Sequence, residues 1–160
     1  MASCALLLLA LTFFDVFEAK ESETWLVGLH QELKKGIVAA SIEFGDFPLK
    51  RDTVICEIKI QDNLKTLGSY LEKAELRSHK GHVLPELEFE IHLEFLGGGE
   101  EKLLGWVLDG HPNDIFLERT IWEEKEAGKY SRRGSHSIKI SNAASWIKEI
   151  QQECIKTKGS

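Results

Sequence analysis

The short motifs that mark the common enzyme chemistries are missing from this chain. No Gly-rich phosphate cradle precedes a helix, and there is no His-Glu-x-x-His pair, no Gly-x-Ser-x-Gly elbow and no Cys-x-x-Cys pair. The sequence grounds for a P-loop nucleotide hydrolase, a zinc-helix protease, an elbow esterase or a thiol oxidoreductase go with them. Gly97-Gly98-Gly99 lacks the Lys and Ser or Thr of a P-loop and reads as a hairpin turn. Three cysteines are too few for a disulfide-built scaffold, and no Asn-x-Ser/Thr sequon offers a glycan site. With three prolines, 42% hydrophobic and 29% charged residues, the composition excludes a disordered chain. Positive charge is also short: 20 Lys and Arg stand against 26 Asp and Glu, a formal charge of −6. A nucleic-acid backbone is therefore not expected as the main partner, because such binding draws on clustered cations.

Long apolar runs are absent too. The longest, Ala5–Phe14, is broken only by Thr12 and is too short to span a bilayer. Its length suits the core of a signal peptide, which would place residues 1–19 in a cleaved leader and the protein outside the cell. Against that reading, no Lys or Arg precedes the run, Asp15 and Glu18 follow it, and cleavage after Ala19 would set bulky Phe17 where a small residue is preferred. The alternative is an amphipathic N-terminal helix in a cytoplasmic protein, with Leu6, Leu9, Phe13 and Phe17 on one side and Thr12, Asp15, Glu18 and Ser22 on the other. Loss of the leader would discard Cys4 and leave Cys56 and Cys154, a pair able to bridge a C-terminal helix to a strand. Equally, Cys56 alternates with Val54, Ile58 and Ile60 and suits a free thiol in an apolar core.

What the chain does contain is a faultless alternation. From Pro85 to Phe95, Leu87, Phe89, Ile91, Leu93 and Phe95 share one side of a strand, while Glu86, Glu88, Glu90, His92 and Glu94 share the other. One buried face and one wet face belong to an antiparallel sheet, since strands covered on both sides read as unbroken apolar runs. Around this strand the spacing predicts a helix over 23–35, ended by Gly36, and a strand over 37–44 with Val38, Ala40, Ile42 and Phe44 inward. A second strand covers 53–61. Leu64, Leu67, Leu71 and Ala74 match a short helix, although residues 70–76 also suit an extended edge. A meander continues through 102–108 and 114–122, then a polar loop over 123–134 and a short strand over 136–140. The final helix is capped at Ser141 or Asn142 and carries Trp146, Ile147 and Ile150. The expected fold is α+β and mainly antiparallel β. It is one curled sheet or partial barrel of six or seven strands, with an N-terminal helical segment and a C-terminal helix packed on it, in a single domain over 20–160.

Four groups of residues are candidates for chemistry. Asp109, His111 and Asp114 lie in one turn, where a His between two carboxylates suits a small hydrolase or a metal-assisted enzyme. Asp109, Gly110, Pro112 and Asn113 are also what a tight turn demands for conformational reasons. His79 and His82 have ligand spacing, with no Cys or third His close by. The ladder of Glu86, Glu88, Glu90 and Glu94 has neighbours about 7 Å apart, from a rise of about 3.4 Å per residue. That is too wide for a shared-proton dyad within one strand. It is a solvated face that discourages edge pairing, or a docking surface for a cationic partner made pH-sensitive by His92. Lys129, Arg132 and Arg133 beside Tyr130 and His136 form a basic cluster too small for nucleic acid.

The C-terminal Ser145-Trp146-Ile147-Lys148-Glu149-Ile150, following a string of strands, resembles the end of a pleckstrin-homology domain. That resemblance implies a cytosolic adaptor. Trp146 follows the last strand more closely than that pattern has it, and no basic strand pair for a phosphoinositide stands near the start of the sheet. The expected function is a non-enzymatic binding protein, exported, with no cofactor and no metal. It would engage a basic or neutral protein partner through the acidic strand face, or a small apolar ligand within the curved sheet, with the partner favoured because the inward residues are bulky enough to fill the core.

Overall fold

The computed structural model of the chain describes residues 2–46, 51–59, 61–77, 85–126 and 129–158; it describes no side chains at 2–18, 46, 51–52, 121–134 and 158. In chain order the elements are helix α1 (Ala2–Lys35), strands β1 (Ile37–Asp46) and β2 (Arg51–Ile58), helix α2 (Gln61–Leu71), strands β3 (Glu75–Leu76), β4 (Pro85–Phe95), β5 (Glu100–Leu108), β6 (His111–Glu126) and β7 (Lys129–Ile140), and helix α3 (Ala144–Lys158). All seven strands belong to one open antiparallel sheet in the order β2-β1-β4-β5-β6-β7-β3. The alternating strand β4 lies inside it, between β1 and β5. The α+β class, the antiparallel sheet and the two terminal helices agree with the sequence expectation, and the sheet does not close into a barrel.

One face of the sheet carries the core. Ile42, Phe89, Ile91, Leu93, Leu103, Leu117, Ile138 and Ile140 are buried there, and all three helices lie over them. The helices also hold one another: His30 of α1 meets the carbonyl of Leu71 at 3.2 Å, and Tyr70 of α2 packs on Trp146 of α3. α1 ends where the sequence stops it. Lys34 and Lys35 complement the helix C-terminus, and Gly36 takes φ 110, which a side chain would resist. Its N–H bonds to the carbonyls of Glu32 and Leu33. Among the described residues no helix is long and apolar enough to cross a membrane.

Cys56 and Cys154 are joined by a disulfide with Cα atoms 5.8 Å apart and a sequence separation of 98. The bridge staples α3 to the edge strand β2, on the covered face, and takes up the thiol that would otherwise be apolar core.

Three local outcomes differ from the sequence expectation, and one combines two readings of it. Val38 was placed inward by alternation but is 50% exposed, because the β1–β4 register shifts between Ile37 and Ala39 and the bulge turns it out. Of the polar stretch 123–134, residues 123–126 and 129–134 extend the β6–β7 ladder, with Trp122 opposite Arg132 and Glu124 opposite Tyr130. Its residues are polar at successive positions, so no alternation marks it, yet a ladder needs only peptide groups. Residues 61–76 combine both sequence readings, α2 followed by the short edge strand β3 on β7. At α3, the carbonyl of Ala143 accepts the first helical bond, from Ile147 N–H.

Close packing within the core centres on Phe89. Gly105 sits opposite it on β5, and the Phe89 ring occupies the space where a Gly105 side chain would begin. Gly105→Ala is therefore expected to lower the unfolding free energy by about 1–3 kcal/mol through overpacking, and Phe89→Ala by about 3–5 kcal/mol through an aromatic cavity. Urea unfolding of both variants checks the pair; an unchanged midpoint for either would contradict the packing. Reduction of the Cys56–Cys154 bridge is expected to cost about 2–5 kcal/mol, read from the same curves with and without reductant.

Candidate functional site

The period of two that buries one set of side chains displays the other set on the opposite face, and among the described residues no helix covers that face. Strand register aligns one row across it: Ile55 on β2, Glu43 on β1, Glu90 on β4, Leu104 on β5, Glu118 on β6 and Ser137 on β7. A neighbouring row brings together Ser41, His92 and Lys102. On the other side run Glu88, Trp106, Phe116 and Lys139.

This face is less wet than alternation alone suggests. Glu90 is only 9% exposed and Glu118 only 6%; Leu104 stands between them in the row. Leu104 and Trp106 are half-buried, Phe116 is buried beneath the Arg77 guanidinium at 4.0 Å, and Ile55 is 52% exposed. The result is an apolar band bordered by acids.

Glu90 anchors the charges. Its Oε1 accepts from Lys102 Nζ at 2.7 Å and pairs with His92 Nε2 at 2.8 Å. Lost hydration pushes its carboxyl up, but the Lys102 and His92 hydrogen bonds and the Lys102 charge outweigh it, so the carboxyl titrates below its ordinary range. The covering is thin, since the shielding comes from the Lys102 and His92 chains, which are themselves about half exposed. Glu43 lies directly opposite Glu90 across the β1–β4 pair, and donor atoms of Glu43, Glu90 and His92 all fall within 4.8 Å of one another. A cleft of about 300 Å³ opens alongside, lined by His92, Leu93, Glu94, Glu100, Glu101 and Lys102.

The rest of the sequence ladder is divided. Glu88 is half-buried and Glu94 exposed, both on the open face, while Glu86, beyond a register shift at Pro85/Leu87, reaches Lys148 of α3 at 2.8 Å. At the turn, Asp114 binds Lys139 Nζ at 3.0 Å and accepts the Asn142 N–H at 3.2 Å. Burial raises the Asp114 carboxyl, and these bonds with the nearby Lys139 and His111 charges bring it below its ordinary range. His111 Nδ1 stands 4.0 Å from Asp114 and its ring meets Phe116 edge-on. Asp109 is exposed at the turn and makes no ion pair among the described residues. The structure thus brings His111 and Asp114 into proximity, commits Asp114 to β7 and the approach to α3, and leaves Asp109 apart. His79 and His82 lie outside the described residues, as do the side chains of Lys129, Tyr130, Arg132 and Arg133.

A second polar group, on the covered face, escaped sequence reasoning. His136 is buried at 7% exposure, stacks on Trp25 and holds Ser22 Oγ at 2.8 Å from Nδ1, pinning α1 to β7. Beside it, Glu101 pairs with Arg119 at 3.2 Å. Burial holds the Glu101 carboxyl above its ordinary range; the Arg119 charge opposes this. So does the nearby Trp25 indole N–H, although it reaches no acceptor in good hydrogen-bond geometry. Only register, which sets Arg119 opposite His136, brings these residues together; no local spacing signals it.

Comparison with known protein families, curated proteins and solved structures finds no match to this chain.

The depressed Glu90 carboxyl contributes stability that is present above its unfolded-state pKa and is lost as the pH falls through its folded-state value. Lys102→Met is accordingly expected to cost about 1–3 kcal/mol at neutral pH, because it takes one of two hydrogen-bond partners from a carboxylate that is itself buried, with the difference from the parent shrinking once Glu90 is protonated. Unfolding curves at neutral and acid pH test this; a deficit that persists unchanged in acid would assign the effect to packing of the Lys102 chain.

Proposed function

We propose that the protein is a binding module that docks a protein partner on the open face of its sheet, with no chemical step of its own. One observation carries the reading: the sheet face bearing Leu104, Trp106 and Phe116 among carboxylates is covered by no helix among the described residues. An apolar centre inside a polar rim is the anatomy of a protein interface, and Trp is a frequent anchor. Glu43, Glu88 and Glu94 on the same face favour a partner of basic character, through steering as much as through contact energy. The opposite face supports this choice over an apolar small ligand, because the helices fill it with Trp25, Leu29, Leu33, Leu67, Leu71 and Ile147.

Export is part of the same proposal. The Cys56–Cys154 disulfide is compatible with an oxidising compartment, and an intact mass lacking the first nineteen residues, measured on protein from its native source, would support it.

The docking surface is tested with a defined probe. In a titration followed by amide NMR, an amphipathic Lys/Leu peptide is expected to shift signals of β4, β5 and β6 residues on the open face, while its Glu/Leu counterpart does not. Glu94→Lys, at an exposed position, should weaken the response and leave the unfolding midpoint nearly unchanged. Shifts centred on the helices, or equal responses to both peptides, would remove the proposal.

A further inference from the structure

The Glu43, Glu90 and His92 cluster has a chemistry of its own, independent of any docking partner. Two carboxylates sit directly opposite each other on paired strands, which concentrates negative charge at one place on the open face. Lys102 supplies one positive charge to Glu90 at 2.7 Å. The imidazole is the other informative group: His92 Nε2 already lies 2.8 Å from Glu90 Oε1, and donors from all three residues fall within 4.8 Å. An ion bonded at about 2.0–2.2 Å to oxygen and nitrogen draws its ligand atoms to about 3–3.5 Å from one another. The existing spacing is close to that. The main chains are already fixed, because Glu43 and His92 flank Glu90 within one hydrogen-bonded ladder of two interior strands.

From this geometry we propose that Glu43, Glu90 and His92 bind one divalent transition-metal ion of the zinc and cobalt class. Two carboxylates and one imidazole are a borderline donor set, which suits these ions better than calcium or magnesium, whose sites are built from oxygen alone. Three protein ligands leave at least one position for water or for a donor from a partner. Binding displaces the hydrogen-bonded proton between His92 and Glu90 and the Lys102 ammonium. Lys102 is half exposed and swings into water at little cost. Lys102 and the ion therefore compete for the same carboxylate oxygen.

Cobalt(II) is the probe, because its visible absorption reports a nitrogen- and oxygen-coordinated ion directly. One equivalent is expected to bind the parent protein with a dissociation constant below about 100 μM, and to broaden amide signals of residues 41–44 and 89–93. Glu43→Gln and His92→Gln should each weaken binding by about a hundredfold or more, since loss of outer-shell support alone costs 10–100-fold. Lys102→Met should tighten it. The parent spectra test the site even where a variant folds poorly. Absence of one-to-one binding, broadening centred on another histidine, full retention of affinity in either ligand variant, or weaker binding by Lys102→Met would each overturn the assignment.

Discussion

The side-chain period of two along β4 is the constraint on which the rest of the structure depends. A strand whose alternate residues are Leu87, Phe89, Ile91, Leu93 and Phe95 must turn that set away from water. Its neighbours β1 and β5 pair with it in registers that bring Ile42 against Ile91 and Leu103 on the other side, so the apolar face extends across the sheet. A slip of one residue would exchange the core for a row of carboxylates. With one face committed, the three helices have one place to bury Trp25, Leu67 and Ile147, and they form a single layer there. The disulfide reinforces this arrangement at the β2 edge and does not create it.

The same constraint produces the open face. Residues that alternate with a core are not thereby free of one another, because antiparallel pairing sets them shoulder to shoulder across strands. Glu90 would be costly among apolar neighbours, and Lys102 and His92 offset that cost by hydrogen bonding to its carboxylate. Leu104, Trp106 and Phe116 dehydrate the surroundings and make each interaction there stronger than on an ordinary surface. The proposed binding surface and the proposed metal-ligating cluster thus share one physical situation, carboxylates held rigidly beside apolar side chains on one face of the sheet.

Much of the fold was legible in local pattern. The alternation in β4, the spacing of Leu26, Leu29 and Leu33 in α1, the glycine turn after Phe95 and the helical stripe of α3 each mark an element within a window of a dozen residues. The misread places lacked a local signal. Val38 follows the alternation of β1 and is turned out by a bulge that depends on how β4 pairs, and residues 123–126 and 129–134 extend a ladder through polar residues. For the site, Glu90 and His92 were legible as members of a charged strand face. Glu43 was not, because nothing near it in sequence distinguishes it from a surface carboxylate.

By itself the sequence determined the apolar side of β4, the helical stripes of 23–35 and of α3, and that Cys56 and Cys154 occupy elements able to meet. Hydrophobic periodicity is local and survives without knowledge of the fold. Only the tertiary structure decided that Glu43 stands opposite Glu90, that Lys102 rather than water neutralises it, that Glu86 belongs to α3, and that His136 lies buried under Trp25. These contacts depend on strand order and register, which are fixed by backbone pairing and packing summed over the whole sheet, and so leave no trace in the spacing of the residues they join.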